Sequence, residues 1–451
     1  MEAAASTREG VGSGGFRANL RFQLVSKGCM SFTTHNVCHA AMNYRRFLVL
    51  FLLLTSSWAY ALKPADPERF EKAIQAFETE DAAKAPPKDA TLFVGASNIR
   101  RWQSLPSRFK KTPLLNRGFG GSQLSDVAFF ADRCVINYRP KQIYLGAGGN
   151  DIHAGRSPEE VLASFEEFVT KVKTALPKTA ISFLSIPPSP SRWSEVEQVK
   201  KANALIAASC AKMGVDFIET FSLLLGADGQ PRPELFVEDK LHFSEAGYDV
   251  LSSAIRWQKD ILAFAKKDAE KAPPENPIVF TGSSSIQKWK TLEEDFPGLP
   301  VMNRGFGGSE VFDSFTYAHL TVIKYKPRLV VMYAGGNDIN AGKTPQRVFA
   351  DFKAFVTKVH AALPGCRISY ISNAPNPKRW SMIKQMRETS RLIEEFTKTD
   401  PRLQFINVYP HMLGADGLPK PDIFVEDKLH MNAKGYAIWK EVVGPYLKQP
   451  R

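Results

Sequence analysis

Asn116-Arg-Gly-Phe-Gly-Gly-Ser122 returns unchanged as Asn303-Arg-Gly-Phe-Gly-Gly-Ser309, 187 residues further along the chain. Two more blocks repeat in the same order. Gly148-Gly-Asn-Asp-Ile152 recurs as Gly335-Gly-Asn-Asp-Ile339, and Phe236-Val-Glu-Asp-Lys-Leu-His242 recurs as Phe424-Val-Glu-Asp-Lys-Leu-His430. The last pair is displaced by 188 residues, which places a one-residue insertion near Met213-Gly214. A period this long is a duplicated domain, not a solenoid repeat. The length of 451 residues agrees, because about 150 residues per domain leaves room for two or three.

Each copy alternates short β-rich runs with amphipathic stretches. Thr91–Val94, Gln142–Leu145, Ile181–Ile186 and Phe217–Ile218 read as strands in the first copy, with Pro158–Ala175 as a helix among them. Ile278–Thr281, Leu329–Tyr333, Ile368–Ile371 and Gln404–Ile406 read as strands in the second. Such alternation predicts an α/β fold, a parallel sheet with helices on both faces. A matching helix precedes each copy and ends at a double proline: Arg69–Ala85 before Pro86-Pro87, and Arg256–Ala272 before Pro273-Pro274. The second of these continues from Gly247-Tyr248, so it is also the exit helix of the first copy. With no Gly/Ser linker between them, the copies are expected to form a semi-rigid pair, domain 1 over 62–258 and domain 2 over 259–451.

The start of the chain reads differently. Met42-Asn-Tyr-Arg-Arg46 is a basic n-region, Phe47–Leu54 an apolar run, and Ala59-Tyr-Ala61 a small-x-small cleavage site, so 42–61 is expected to be a signal peptide. The run is shorter than the ~20 apolar residues of a membrane span. Residues 1–41 read as a mis-called extension upstream of the true start. An exported location, periplasmic or extracellular, follows, with no transmembrane anchor in the mature chain. Apolar residues at 44% and charged residues at 23% suit a soluble globular protein. Of the net +13, residues 1–61 supply four charges, six cations against two anions, and the remainder is a basic surface that also suits anionic polysaccharide or lipid headgroups. Zinc-ligand spacing, a basic helix and aromatic RNA-binding signatures are all missing, so no nucleic-acid partner is expected. Beyond the start, Cys134, Cys210 and Cys366 are an odd count with no metal spacing.

The repeat also sorts the polar residues. Of eight histidines only His242 and His430 stand at equivalent positions, each with an acid three residues earlier, Asp239 and Asp427. If the segment turns into a helix, with Ser244 and Asn432 as N-caps, each carboxylate lies near its imidazole. A lone histidine of this kind is an ordinary loop-end residue; two in one setting point to catalysis. Ser97 and Ser284 follow the first strand of each copy, where a hydroxyl projects at the ligand-binding end of such a sheet. A plain helix-capping serine reads the same way, and the Gly-x-Ser-x-Gly elbow is absent. Asn150 and Asn337 end a third strand and can donate a side-chain N–H, and the turns Gly118–Gly121 and Gly305–Gly308 can expose backbone N–H groups; a tight turn is the plainer reading. Neither nucleotide-binding glycine pattern is present. Trp102 and Trp289 read as core. Arg192-Trp193 and Arg379-Trp380 are candidates for lining a substrate pocket, as are His153 and its counterpart Asn340.

Four blocks in this order, twice over, resemble the SGNH/GDSL hydrolase superfamily, with its lysophospholipase/thioesterase-like and platelet-activating-factor acetylhydrolase-like branches. The resemblance covers nearly all of 62–451. It implies two flavodoxin-like three-layer α/β/α domains, nucleophiles Ser97 and Ser284, bases His242 and His430, and orienting acids Asp239 and Asp427. It implies oxyanion holes from Gly121 with Asn150 and Gly308 with Asn337. The usual Asp of Gly-Asp-Ser is Ala96 in one copy and Ser283 in the other, a departure outside the triad. The reading is an exported serine esterase that hydrolyses acyl or acetyl esters of small molecules, lipids or polysaccharides through an acyl-serine, with neither metal nor cofactor. A non-catalytic glycan-binding tandem is the alternative; a missing triad member would favour it, and none is missing. A nucleotide-binding flavodoxin-like protein fits the Asp-x-x-His segment poorly. Oligomeric state is not legible.

Overall fold

Leu92 and Val94 pack with Ile143 and Leu145 into one apolar cluster, while Phe93, between them, joins Trp102 and Tyr248 in another. That alternation is a strand buried on both faces, the signature of a central strand in a parallel sheet. The computed structural model describes residues 66–110, 112–226 and 228–448. The extension expected over 1–41 and the signal peptide expected over 42–61 lie outside the described residues.

Strands β1 (Thr91–Gly95), β2 (Leu114–Gly118), β3 (Gln142–Gly146), β4 (Ala180–Leu184) and β5 (Asp216–Ile218) form a parallel sheet in the order β2-β1-β3-β4-β5. Strands β6 (Ile278–Gly282), β7 (Val301–Gly305), β8 (Leu329–Tyr333), β9 (Arg367–Ile371) and β10 (Leu403–Ile406) repeat it in the order β7-β6-β8-β9-β10. This is the flavodoxin-like order, and the connections leave β1 and β6 in opposite directions. A crevice therefore opens at the C-terminal ends of β1 and β3, and of β6 and β8. The fold is α/β in both copies, with helices on each face.

One face of the first sheet is covered by helices α2 (Pro158–Ala175) and α3 (Val196–Met213), through Val161, Phe165, Phe168, Ala202 and Ile206. Ser157 caps α2 in a reciprocal box with Glu160. The expected bounds Pro158–Ala175 are those observed. The counterparts in the second copy are α5 (Pro345–Ala362) and α6 (Ile383–Thr397). Helix α3 ends at Gly214 in a left-handed conformation, whereas α6 ends at Thr397 and a turn through Lys398 and Thr399 leads to β10, so the extra residue of the second copy lies in this connection.

The opposite face of the first sheet is closed by α4 (Glu245–Glu270), capped by Ser244. This helix serves both copies. Its first half buries Tyr248, Leu251 and Ala254 against the first sheet. Its second half carries Phe264 and Asp268, and Asp268 pairs with the buried Arg304 and accepts from the Tyr325 hydroxyl at 2.6 Å. Helix α1 (Glu71–Ala83) does the same for the first sheet, with Asp81 pairing Arg117 and accepting from Tyr138 at 2.5 Å. A single cluster runs from Phe236 and Phe243 through Ile261 and Phe264 to Phe306 and Tyr317. The position expected as the boundary, 258/259, falls inside this unbroken helix. Helix α7 (Ala433–Leu447) closes the second sheet where α4 closes the first.

Each sheet has five strands where the sequence pattern predicts four; the additional ones are β2 and β7. Leu-Leu-Asn-Arg-Gly carries little apolar signal, because Asn116 and Arg117 spend their side chains on structure: Asn116 donates to the Ile99 carbonyl at 2.7 Å, and Arg117 pairs with Asp81.

Candidate active site

Gly95 ends β1 with φ +139°, and a Cβ there would lie 2.1 Å from the Gly146 carbonyl oxygen. Only glycine lets the chain turn this tightly into the helical turn Ser97–Arg100. Gly282, with φ +117°, opens the matching turn at Ser284–Gln287. Ala96 and Ser283 take the N-cap positions, so Ser97 and Ser284 are first helical residues, not caps. Both hydroxyls are partly exposed at the sheet end. The turns are fixed from outside: the Tyr248 hydroxyl donates to the Asn98 carbonyl at 3.0 Å, and that of Tyr436 to Ser285 at 2.9 Å.

The loop before α4 brings His242 to Ser97. Asp239 Oδ1 accepts the N–H groups of Leu241 and His242 at 2.9 Å each, and Lys240, between Asp239 and Leu241, sits at φ +56°. This tight turn leaves Asp239 Oδ2 2.6 Å from His242 Nδ1, and His242 Nε2 2.8 Å from Ser97 Oγ. The second copy reproduces the chain: Asp427 Oδ2 to His430 Nδ1 at 2.5 Å, and His430 Nε2 to Ser284 Oγ at 2.9 Å. Partial desolvation works against the charge on Asp239 and Asp427. The two backbone N–H groups and the imidazole outweigh it and hold each carboxyl well below the usual range. With the proton on Nδ1, each imidazole presents a bare Nε2 to a serine hydroxyl, the arrangement that lets a hydroxyl attack as its proton departs.

Asn150 and Asn337 stand in the helical turns that follow β3 and β8. Asn150 Nδ2 donates to the Ser122 carbonyl at 3.0 Å, and Asn337 Nδ2 to Ser309 at 2.9 Å. Gly121 and Gly308 lie beside these at φ +87° and +89°, in a conformation that favours glycine. Two features were not legible in the sequence. Arg192 Nη1 donates to Asn150 Oδ1 at 3.1 Å, and Arg379 Nη2 to Asn337 Oδ1 at 2.8 Å. Asp151 and Asp338, fully buried, accept the N–H of Leu124 and of Val311, tying the glycine-rich turn to the asparagine turn. Burial pushes both carboxyls up to about 7, against the N–H bond in the first and Lys343 in the second.

Trp193 lines the cavity beside Ser97, together with Arg192. The other pocket candidates are not among the lining residues. His153 and Asn340 lie one helical turn beyond Asn150 and Asn337 and are exposed; His153 pairs with Glu195 at 2.7 Å instead. Trp380 does not line the cavity beside Ser284, although Arg379 does. Trp102 and Trp289 are buried in the core, 1% exposed. Cys134, Cys210 and Cys366 are buried free thiols.

A family model of GDSL-like lipases and acylhydrolases matches the chain twice, over residues 89–250 and 277–438. The chain belongs to the GDSL-like lipase/acylhydrolase family, in two tandem copies, and so to the esterases in the broad sense. No curated protein matches it. Among solved structures, a GDSL-like lipase of Bacteroides thetaiotaomicron is 22% identical over 42% of this chain and 97% of its own, with a TM-score of 0.37. A lipase/acylhydrolase of Enterococcus faecalis is 16% identical over 37% and 93%, at 0.33. An acetylxylan esterase of Geobacillus stearothermophilus is 15% identical over 38% and 94%, also at 0.33.

Proposed function

We propose that both copies hydrolyse acyl esters through an acyl-serine intermediate. Ser97 and Ser284 are the nucleophiles, His242 and His430 the general bases, and Asp239 and Asp427 the orienting acids. Serine attacks the ester carbonyl as the imidazole takes its proton; the imidazolium then protonates the departing alcohol. Water repeats the sequence on the acyl-serine and releases the carboxylic acid. Asn150 with Gly121, and Asn337 with Gly308, donate to the oxyanion along with the serine backbone N–H. The observation that carries this reading is the unbroken serine–histidine–aspartate hydrogen-bond chain, present twice. The substrates we infer are short-chain or acetyl esters of sugars and lipid-derived esters, met after export through the segment 42–61. Ser97→Ala and Ser284→Ala test it: each alone leaves partial activity on p-nitrophenyl esters, and together they remove about 10⁴-fold or more. Parental rates in the double variant would overturn the assignment.

A further inference from the structure

Gly146 and Tyr333 occupy the same place, the last residue of the third strand, each in register with the glycine that opens the serine turn. In the first copy nothing larger than hydrogen fills that place. A Cβ on Gly146 would point at the side chains of Ile99 and Leu184, 3.0 and 3.5 Å away. A pocket opens there beside Ser97, spanning about 900 Å³ with its solvent-open mouth included and bounded by Gly146, Leu184, Ile186, Val199 and Leu251.

In the second copy the Tyr333 ring takes up this volume. It is 7% exposed and packs edge-on against Trp439 at 4.8 Å between centroids. Its hydroxyl accepts the Ala374 N–H at 3.4 Å. Trp439 stands where Leu251 stands in the first copy, and Met386 where Val199 stands. Each replacement is larger, and the space beside Ser284, its solvent-open mouth again included, shrinks to about 420 Å³. Close packing leaves these side chains no room to withdraw.

We propose that the two sites divide esters by acyl length: the Ser97 site accepts medium acyl chains in the Gly146 cavity, and the Ser284 site, blocked by Tyr333, accepts only acetyl and similarly short groups. This rests on the esterase reading above. The apolar lining of the first cavity suits a hydrocarbon tail and not a sugar or glycerol alcohol, so the tail it takes belongs to the acyl side. Hydrocarbon buried there favours the longer ester by up to roughly fourfold per methylene.

The test uses the full chain with one nucleophile removed at a time. Ser284→Ala reports the first site and Ser97→Ala the second, each assayed on p-nitrophenyl acetate, butyrate, hexanoate and octanoate. For the first site kcat/KM holds or rises along the series. For the second it falls at least tenfold between acetate and hexanoate. Tyr333→Gly in the Ser97→Ala chain raises the hexanoate-to-acetate ratio, and Leu251→Trp in the Ser284→Ala chain lowers it. The same chain-length profile at both sites overturns the division, whatever the variants do. If neither single variant exceeds the Ser97→Ala/Ser284→Ala double variant on any ester, the esterase reading itself falls; equal profiles well above the double variant sink only the division.

Discussion

Arg379 Nη2 donates to Asn337 Oδ1 at 2.8 Å, and the same side-chain amide donates from Nδ2 to the Ser309 carbonyl at 2.9 Å. An amide held at both ends cannot flip, so its second N–H keeps one direction. Arg192 holds Asn150 in the same way. On the proposed mechanism the arginines are positioning residues: they orient the amide assigned to the oxyanion without touching the reacting atoms. Losing one such donor costs about 10²–10³-fold in kcat. Arg192→Ala, measured in the Ser284→Ala chain, should therefore lower kcat roughly tenfold to hundredfold and change KM little. Arg379→Ala in the Ser97→Ala chain should behave alike. A loss confined to KM would mean that the arginines bind substrate instead.

Asp239 and Asp427 each accept two backbone N–H groups on Oδ1, which an asparagine oxygen can also accept, but an asparagine puts an NH2 group where Oδ2 faces the imidazole Nδ1. Asp239→Asn should keep the turn but remove the charge that favours the imidazolium, and activity at the Ser97 site should fall about 10³–10⁴-fold. Circular dichroism of the variant should match the parent, which separates loss of chemistry from loss of fold. Near-parental activity would show that the carboxylate only shapes the loop.

Asp151 and Asp338 predict a pH effect on stability. Burial raises each folded-state pKa to about 7, above the unfolded value of about 3.9. Between about pH 4 and pH 7 the folded chain holds protons that the unfolded chain has lost. Stability should therefore decline as pH rises through that window and level off above it. Asp151→Asn/Asp338→Asn keeps an oxygen to accept the Leu124 and Val311 N–H groups and removes the titration. Its thermal midpoint should vary less between pH 5 and pH 7.5 than the parent's. An identical slope in both proteins would rule out these two groups as its source.

The repeat made most of this fold readable. Two copies of one pattern separate the residues both copies retain from those that merely occur, which is why one histidine pair stood out among eight. Alternation of β-rich runs with a helix such as Pro158–Ala175 gave the layers. What stayed hidden depends on geometry that sequence distance does not encode. Arg192 lies 42 residues from Asn150, and their meeting is set by the loop after β4. The strand Leu114–Gly118 hid because its polar residues are hydrogen-bonded inward. Gly146 and Tyr333 look like ordinary strand ends until the sheets are superposed by register.

Helix α4 provides the sharpest mechanical test, because it is the exit helix of one sheet and the entry helix of the next. Leu262 lies in its second half and is 58% exposed, so substitution there perturbs the helix and little else. Proline at 262 removes one backbone hydrogen bond and clashes with the preceding turn, which costs ~3 kcal/mol and kinks the helix. The residues beyond the kink, Phe264 and Asp268, are those that grip Arg304 and the second sheet. Those before it, Tyr248, Leu251 and Ala254, remain seated on the first. Leu262→Pro in the Ser97→Ala chain should therefore lose activity at a lower temperature than its parent. The same substitution in the Ser284→Ala chain should shift the inactivation temperature much less. Leu262→Ala keeps the helix and should leave both unchanged. If Leu262→Pro destabilises both sites equally, the copies unfold as a single cooperative unit and the helix does not apportion stability between them.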